Sequence, residues 1–309
     1  MSEPSQHRRA AARFDPSGPH EVRFADVEYA RPGGEPLLAR VYRPVEPGPW
    51  PALVDVHGGA WTYLDRNVDA HFDQALAACG MVVVALDFRQ GAQRFPASIR
   101  DVLSGVRFVR RHAAELDAAP DAIGLVGGSS GGHLCLLAAI CPAAPEFQED
   151  ANQDPDDASV AYALALWPIA DPLARYRYLE PLLAGHAPSP HDPFFDPARL
   201  RGGQEAHFGD EATMARASIP RILRAREFQR LPPIWVAHPE HDRNVTLAMT
   251  EDLVAAYRAA GGRATLEVFA GVGHAFANFP GPAADHCIER MRRFCAGVLG
   301  TAPRLEAGA

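Results

Sequence analysis

The stretch AIGLVGGSSGGHLCLLAA, residues 122–139, sets four glycines around two adjacent serines, with an apolar run entering and an apolar, small-residue run leaving. AIGLVGG reads as a buried strand, and an apolar helix is predicted from about Ser130. A chain that must leave a buried strand and enter a helix within a few residues needs backbone freedom there, and glycine supplies it. The segment Gly128-Ser129-Ser130-Gly131-Gly132 fits the pattern G-x-S-x-G with Ser130 at its centre. In such an elbow the residues two before and two after the serine would collide if they carried side chains. The turn then lifts a hydroxyl above the sheet, at the positive end of the following helix. Ser129, centred between Gly127 and Gly131, is the alternative; it is set aside because the helix would begin with its hydroxyl one position early. A phosphate-binding loop is also set aside, since neither GK[ST] nor G-x-G-x-x-G is present.

Working outward, the chain alternates. Val22 to Tyr29, Leu37 to Tyr42, PALVDVHGG from Pro51, MVVVALDF from Met81, VAYALALWP, PIWVAHP and ATLEVFAG read as further strands. FPASIRDVLSGVRFVRRHAAEL places Ile99, Val102, Leu103, Val106, Val109 and Leu116 near helical spacing, with arginines opposite. Helices are predicted at 245–260 and 283–299. Strands alternating with helices imply parallel βαβ units, so the fold class is α/β with a doubly wound, mostly parallel sheet. Residues 171–230 break the pattern and are too long for a structureless connection, so they are predicted to be an inserted cap of short helices. The expected organisation is a flexible N-terminal segment at 1–20, a core at 21–170 and 231–300, and the cap at 171–230.

A serine nucleophile needs a base, and the base needs an orienting acid. In this arrangement they follow in chain order, acid then histidine. FAGVGHAFANF puts His274 on a glycine-flanked loop after the last strand, at the sheet edge where ligands meet open α/β sheets. WVAHPEHDRNV puts Asp242 just past the preceding strand, with Glu240 and Asp171 as rival acids. The cluster His238, Glu240, His241, Asp242 lacks helical metal-ligand spacing, so no metal is expected. VDVHGGAW ends a strand in small residues whose backbone N–H groups can face a substrate carbonyl. Gly59 and Ala60, with Gly131 after the elbow, are the candidate oxyanion donors, and His57 is expected to brace the loop. Trp61, Phe95, Trp167 and Phe276 are the candidate substrate-binding residues. The cap aromatics Tyr176, Tyr178, Phe194, Phe195, Phe208 and Phe228 mostly fill the cap's own core in this reading, with some lining the pocket.

Composition sets the outer bounds. All 30 basic residues are arginine, which removes Schiff-base, Ser-Lys and P-loop lysine chemistry. A net charge of −8 gives no nucleic-acid footprint. Five cysteines without a CxxC pair make a poor disulfide framework and read as small buried hydrophobes. No apolar run approaches the ~20 residues of a membrane span, and the first residues carry no signal peptide pattern. A cytoplasmic protein without cofactor is expected. The sequence does not fix the oligomer; a homodimer is allowed.

In order along the chain, HGGAW, VVALDFRQGAQRFPASIRDV, GGSSGGH, HPEHD and GVGHAF resemble the α/β-hydrolase superfamily. Within it they resemble the hormone-sensitive-lipase-like carboxylesterases and acetyl esterases. The resemblance spans about residues 50–299. It implies an eight-stranded sheet, a triad of Ser130, Asp242 and His274, and an oxyanion hole of Gly59, Ala60 and Gly131. Ala60 stands where the family usually has a third glycine, and Ser129-Ser130-Gly131 where it has Asp-Ser-Ala. Feruloyl and acetyl esterase relatives and kynurenine formamidase share the HGGxW and GGH forms. The implied activity is hydrolysis of a small-molecule ester through an acyl-enzyme. A formamidase or amidase with the same triad is the alternative, and a catalytically silent binding protein a more distant one.

Overall fold

The computed structural model describes residue 14 and residues 18–91, 95–148, 157–187, 189–192 and 195–300. Apart from Phe14 and residues 18–20, the expected N-terminal segment lies outside the described residues.

Among the described residues eight strands are present: β1 (Val22–Ala30), β2 (Leu37–Pro44), β3 (Trp50–Val56), β4 (Val82–Leu86), β5 (Ala118–Gly128), β6 (Tyr162–Leu166), β7 (Ile234–Pro239) and β8 (Ala264–Phe269). They form one sheet in the order β1-β2-β4-β3-β5-β6-β7-β8. β1 pairs antiparallel with β2, and β2 antiparallel with β4; every later pairing is parallel. The central strands β3, β4 and β6 are buried at every position. This is why they read as largely apolar runs instead of alternating ones.

Nine helices flank or cross the sheet among the described residues: α1 (Ala70–Ala77), α2 (Ala97–Arg111), α3 (Ser130–Ile140), α4 (Pro172–Leu179), α5 (Pro197–Phe208), α6 (Glu211–Arg216), α7 (Ile219–Ala225), α8 (Leu247–Ala259) and α9 (Pro282–Leu299). One core joins Val54, Val56, Leu125 and Ala165 to α2, α3 and α8. The other joins Leu53, Val83, Leu164 and Trp235 to α1 and α9 on the opposite face. Helix α3 is buried on all sides, which explains an apolar sequence without an exposed polar stripe.

Between β6 and β7 the chain builds α4 to α7. Each begins on a side chain that accepts a backbone N–H: Asp171 from Ala174, Asp196 from Arg199, Asp210 from Thr213 and Ser218 from Arg221. Asp171, a rival for the acid role, is thus occupied in starting α4.

Candidate active site

Five strand ends converge at one edge. The loop Gly58–Trp61 follows β3, Ser129 follows β5, Trp167 follows β6, Asp242 follows β7 and His274 follows β8. Parallel strands in one sheet bring their carboxyl ends to the same side, which is how residues far apart in sequence meet.

His274 joins two of these groups. Its Nδ1 lies 2.8 Å from Asp242 Oδ2, and its Nε2 lies 2.9 Å from Ser129 Oγ. The Asp242 side chain is buried, and its Oδ1 accepts the backbone N–H groups of Asn244 at 2.8 Å and Val245 at 2.9 Å. Both carboxylate oxygens are therefore engaged, which fixes the plane that orients the imidazole. Glu240 points elsewhere, accepting the Gly271 N–H at 2.7 Å. His238 is buried against Thr250. Among the described residues no group of three His, Cys, Asp or Glu side chains is arranged to hold a metal ion.

The serine at the centre is Ser129, not Ser130. Ser129 holds φ 55° and ψ −119°, a sparsely populated conformation for a residue with a side chain. Ser130 is the first residue of α3, is fully buried, and its Oγ accepts the Trp61 N–H at 3.2 Å. The glycines decide between them. A Cβ on Gly131 would lie 1.8 Å from the Val56 carbonyl oxygen, and one on Gly127 2.6 Å from the same atom. These are the residues two after and two before Ser129, and the helix enters against the end of β3 only because both lack side chains. The sequence carried the signal: read as Gly127-Gly128-Ser129-Ser130-Gly131, the stretch places a second small residue directly after the serine at the centre of the elbow.

This shift moves the third candidate oxyanion donor as well. The residue after Ser129 is Ser130, whose N–H, at the first position of α3, has no acceptor within the helix. Gly131 acts instead as the close-approach glycine. Gly59 and Ala60 both line the cavity beside Ser129, and no described acceptor takes their N–H groups. Gly59 sits at φ 103°, where a Cβ would also lie 1.9 Å from the Tyr63 carbonyl oxygen. The loop is held from behind by His57, whose ring stacks on Phe88 at 4.4 Å and contacts the Gly58 carbonyl oxygen at 2.7 Å. Burial pushes the His57 pKa down, favouring the neutral ring.

Of the expected substrate-binding residues, Trp167 lines the cavity; Trp61, Phe95 and Phe276 do not. Trp61 is buried and stacks on His207 at 5.5 Å, and Phe95 packs on Phe147 and Phe208. Phe276 packs behind Trp167, against Phe269. Among the described residues the cap aromatics are likewise absent from the lining. Phe208 joins the Trp61 cluster, Phe195 lies under Arg243, Arg201 lies over Tyr176, and Tyr178 donates to the Arg243 carbonyl oxygen. Phe194 lies outside the described residues. The cavity, of about 140 Å³, is walled instead by Tyr63, Leu64, Asp69, Asp192, Arg199, Leu200, Asn244 and Asn278. None of these carries a motif, because each reaches the site through the fold and not through local spacing.

Behind Asn244 lies a fully buried arginine. Arg175 on α4 donates to the Asn244 carbonyl oxygen and to Asn244 Oδ1, both at 3.3 Å, and to Gln204 Oε1 at 3.1 Å. Asn244 Nδ2 in turn donates to Asp192 Oδ2 at 3.2 Å. Burial lowers the Arg175 pKa to about 10, with Asp242 opposing that shift, so the guanidinium remains charged at neutral pH.

A strained serine at a strand-to-helix elbow, a histidine and acid from the last two strand ends, and a glycine loop beside them mark the α/β-hydrolase fold. Residues 40–197, just over half of the chain, match the BD-FAE family, and the chain belongs to it. Esterase LipQ of Mycobacterium tuberculosis is 27% identical over 263 residues, covering 84% of this chain and 56% of LipQ. The chain thus spans little more than half the length of that curated relative. Among solved structures, the thermophilic esterase Est2 of the planctomycete Thermogutta terrifontis superposes with a TM-score of 0.68 at 26% identity, covering 91% of this chain and 95% of that one. The same esterase phosphonylated by sarin gives 0.68 at 26% identity, covering 94% and 98%. No helix among the described residues is long and apolar enough to cross a membrane.

Proposed function

We propose that the protein is a serine carboxylesterase in which Ser129, His274 and Asp242 are the triad. The observation that carries the reading is the continuous chain from Ser129 Oγ through His274 to Asp242, at 2.9 and 2.8 Å. Ser129 Oγ attacks the ester carbonyl while His274 Nε2 takes its proton. Asp242, held by two backbone N–H groups, keeps Nδ1–H pointed at itself and stabilises the imidazolium that forms. The oxyanion of the tetrahedral intermediate is received by the N–H groups of Gly59, Ala60 and Ser130. Its collapse releases the alcohol, which takes the proton from His274. Water then attacks the acyl-enzyme, with His274 again as base, and Ser129 is regenerated. The reaction needs no cofactor. Esterase relatives and a structural neighbour that is phosphonylated by sarin support the assignment.

The same reading places the enzyme in the cytoplasm, acting on a small ester without nucleic acid or membrane. Support comes from the net charge of −8 and from five buried, free cysteines. The test is fluorophosphonate labelling with peptide mapping, together with hydrolysis of p-nitrophenyl acetate. Label on Ser129 and turnover of the ester are expected. Label elsewhere, or turnover of N-formyl aromatic amines in preference to esters, would overturn the assignment.

A further inference from the structure

Two polar side chains that the proposed triad does not use line the cavity beside Ser129. Asp69 immediately precedes α1 and is 1% exposed; Asn278 ends the short 3-10 turn Phe276–Asn278 that follows His274. Both line the cavity. Asn278 Nδ2 donates to Asp69 Oδ1. This leaves Asp69 Oδ2 and Asn278 Oδ1, both buried, and no donor among the described residues reaches either. Buried acceptors without donors are uncommon in folded proteins, because each forfeits its hydration without replacement.

We propose that Asp69 and Asn278 form a subsite for a hydroxyl group carried by the ester substrate, so that they determine specificity for hydroxylated over plain alkyl esters. The proposal rests on the esterase reading of the same cavity. A hydroxyl answers the geometry because it is donor and acceptor at once. It can donate to Asn278 Oδ1 and accept from Asp69 when that acid is protonated, or donate to Asp69 when it is not. A substrate ammonium fits less well. Asp55 and Asp73, both fully buried, feel the charge of Asp69, and no described side chain donates to either carboxyl. Burial first, and then mutual repulsion, hold both carboxyls well above the ordinary carboxylate range, and burial raises Asp69 to about 7. The cluster resists ionisation, so it presents a neutral acid more readily than a counter-ion. A site built to bond a hydroxyl also rejects the analogue that lacks one, since the acceptors would then be sealed dry.

The experiment compares kcat/KM for matched ester pairs. Ethyl butyrate against ethyl 3-hydroxybutyrate probes the acyl side, and propyl acetate against 2-hydroxyethyl acetate the alcohol side. The wild-type enzyme is expected to favour the hydroxylated member of one pair by at least about tenfold. Asn278→Leu and Asp69→Asn are each expected to bring that ratio to within about threefold of unity. The ratio is internal to each variant, so loss of active protein does not mimic the effect, and Asn278→Leu carries the test if the buried Asp69 variant does not fold. No hydroxyl preference in either pair, or a preference that both variants retain, overturns the proposal. So does stronger selection for 3-aminobutyrate than for 3-hydroxybutyrate. A wild-type enzyme that also fails to turn over p-nitrophenyl acetate overturns the esterase reading itself, a separate result.

Discussion

Ser129 Oγ lies 2.9 Å from His274 Nε2, whereas Ser130 Oγ, one residue on, is buried and accepts the Trp61 N–H at 3.2 Å. The two hydroxyls have opposite jobs, and single substitutions separate them. Ser129→Ala is expected to lower kcat by on the order of 10⁶, the usual cost of losing a triad nucleophile, while its thermal unfolding stays near that of the wild type. Ser130→Ala removes one hydrogen bond, worth about 1 kcal/mol of stability, and keeps most of the esterase activity. The reverse pattern of activities would return the nucleophile to Ser130.

Gly131→Ala is expected to be far more damaging than an added methyl group suggests. Its Cβ would stand 1.8 Å from a backbone oxygen of β3, which has no rotamer to retreat into. Overpacking of this kind costs about 1–3 kcal/mol, and relief by moving α3 would displace Ser129 and the Ser130 N–H together. A lower midpoint in urea with reduced kcat is the expected result. Gly202→Ala is the control, because a Cβ there would meet nothing within 4 Å.

These two cases show what the sequence could and could not specify. The central strands were legible because burial on both faces leaves largely apolar runs, and the strands' carboxyl ends predicted where Asp242 and His274 would meet. The elbow was ambiguous because Gly127, Gly128, Gly131 and Gly132 satisfy G-x-S-x-G about either serine. Only the approach of α3 to the end of β3 distinguishes which pair must lack side chains. The cavity wall was not legible. Aromatics such as Phe95 and Phe208 have the composition of a pocket, yet they pack with Trp61 into a buried cluster. The polar wall comes from residues that no local pattern sets apart.

The buried acids Asp55, Asp69 and Asp73 make stability depend on pH in a defined direction. All three have pKa values raised above the ordinary carboxylate range, by burial first, with Asp69 at about 7. Between about pH 4 and 7 these three groups therefore hold more protons in the folded protein than in the unfolded chain. Their contribution to stability is greatest at the acid end of this range and falls as pH rises through it, while His57, His133, His207 and His238, whose pKa values burial lowers, act in the opposite direction. Asp73→Asn removes one of these groups while keeping a neutral side chain of similar shape. The expected result is a smaller loss of Tm between pH 5 and 8, on the order of a kcal/mol or more in stability at pH 8. An unchanged pH slope would mean that Asp73 is ionised in the folded protein.

Arg175 connects the helices between β6 and β7 to the triad without touching the reacting atoms. It donates to Asn244, and Asn244 donates its own backbone N–H to Asp242 Oδ1 while its side chain holds Asp192. Arg175→Met keeps much of the apolar stem but leaves Gln204 Oε1 and Asn244 Oδ1 without donors, at about 1–3 kcal/mol for each acceptor left unpaired. That loss is a stability effect and appears in thermal unfolding. A second effect follows from charge. Without the guanidinium, Asp242 loses a buried positive neighbour, and the Asn244 backbone is free to drift. The carboxylate then orients His274 less well and stabilises its imidazolium less. At a temperature where the variant is fully folded, kcat for p-nitrophenyl acetate is expected to fall about tenfold or more, with KM moving little. Arg175→Lys restores the charge but not the paired donors, so it should recover part of the rate and little of the stability. If Arg175→Met loses stability but keeps full kcat when folded, the arginine only holds α4 and α5 together, and Asp242 is positioned by its own turn alone.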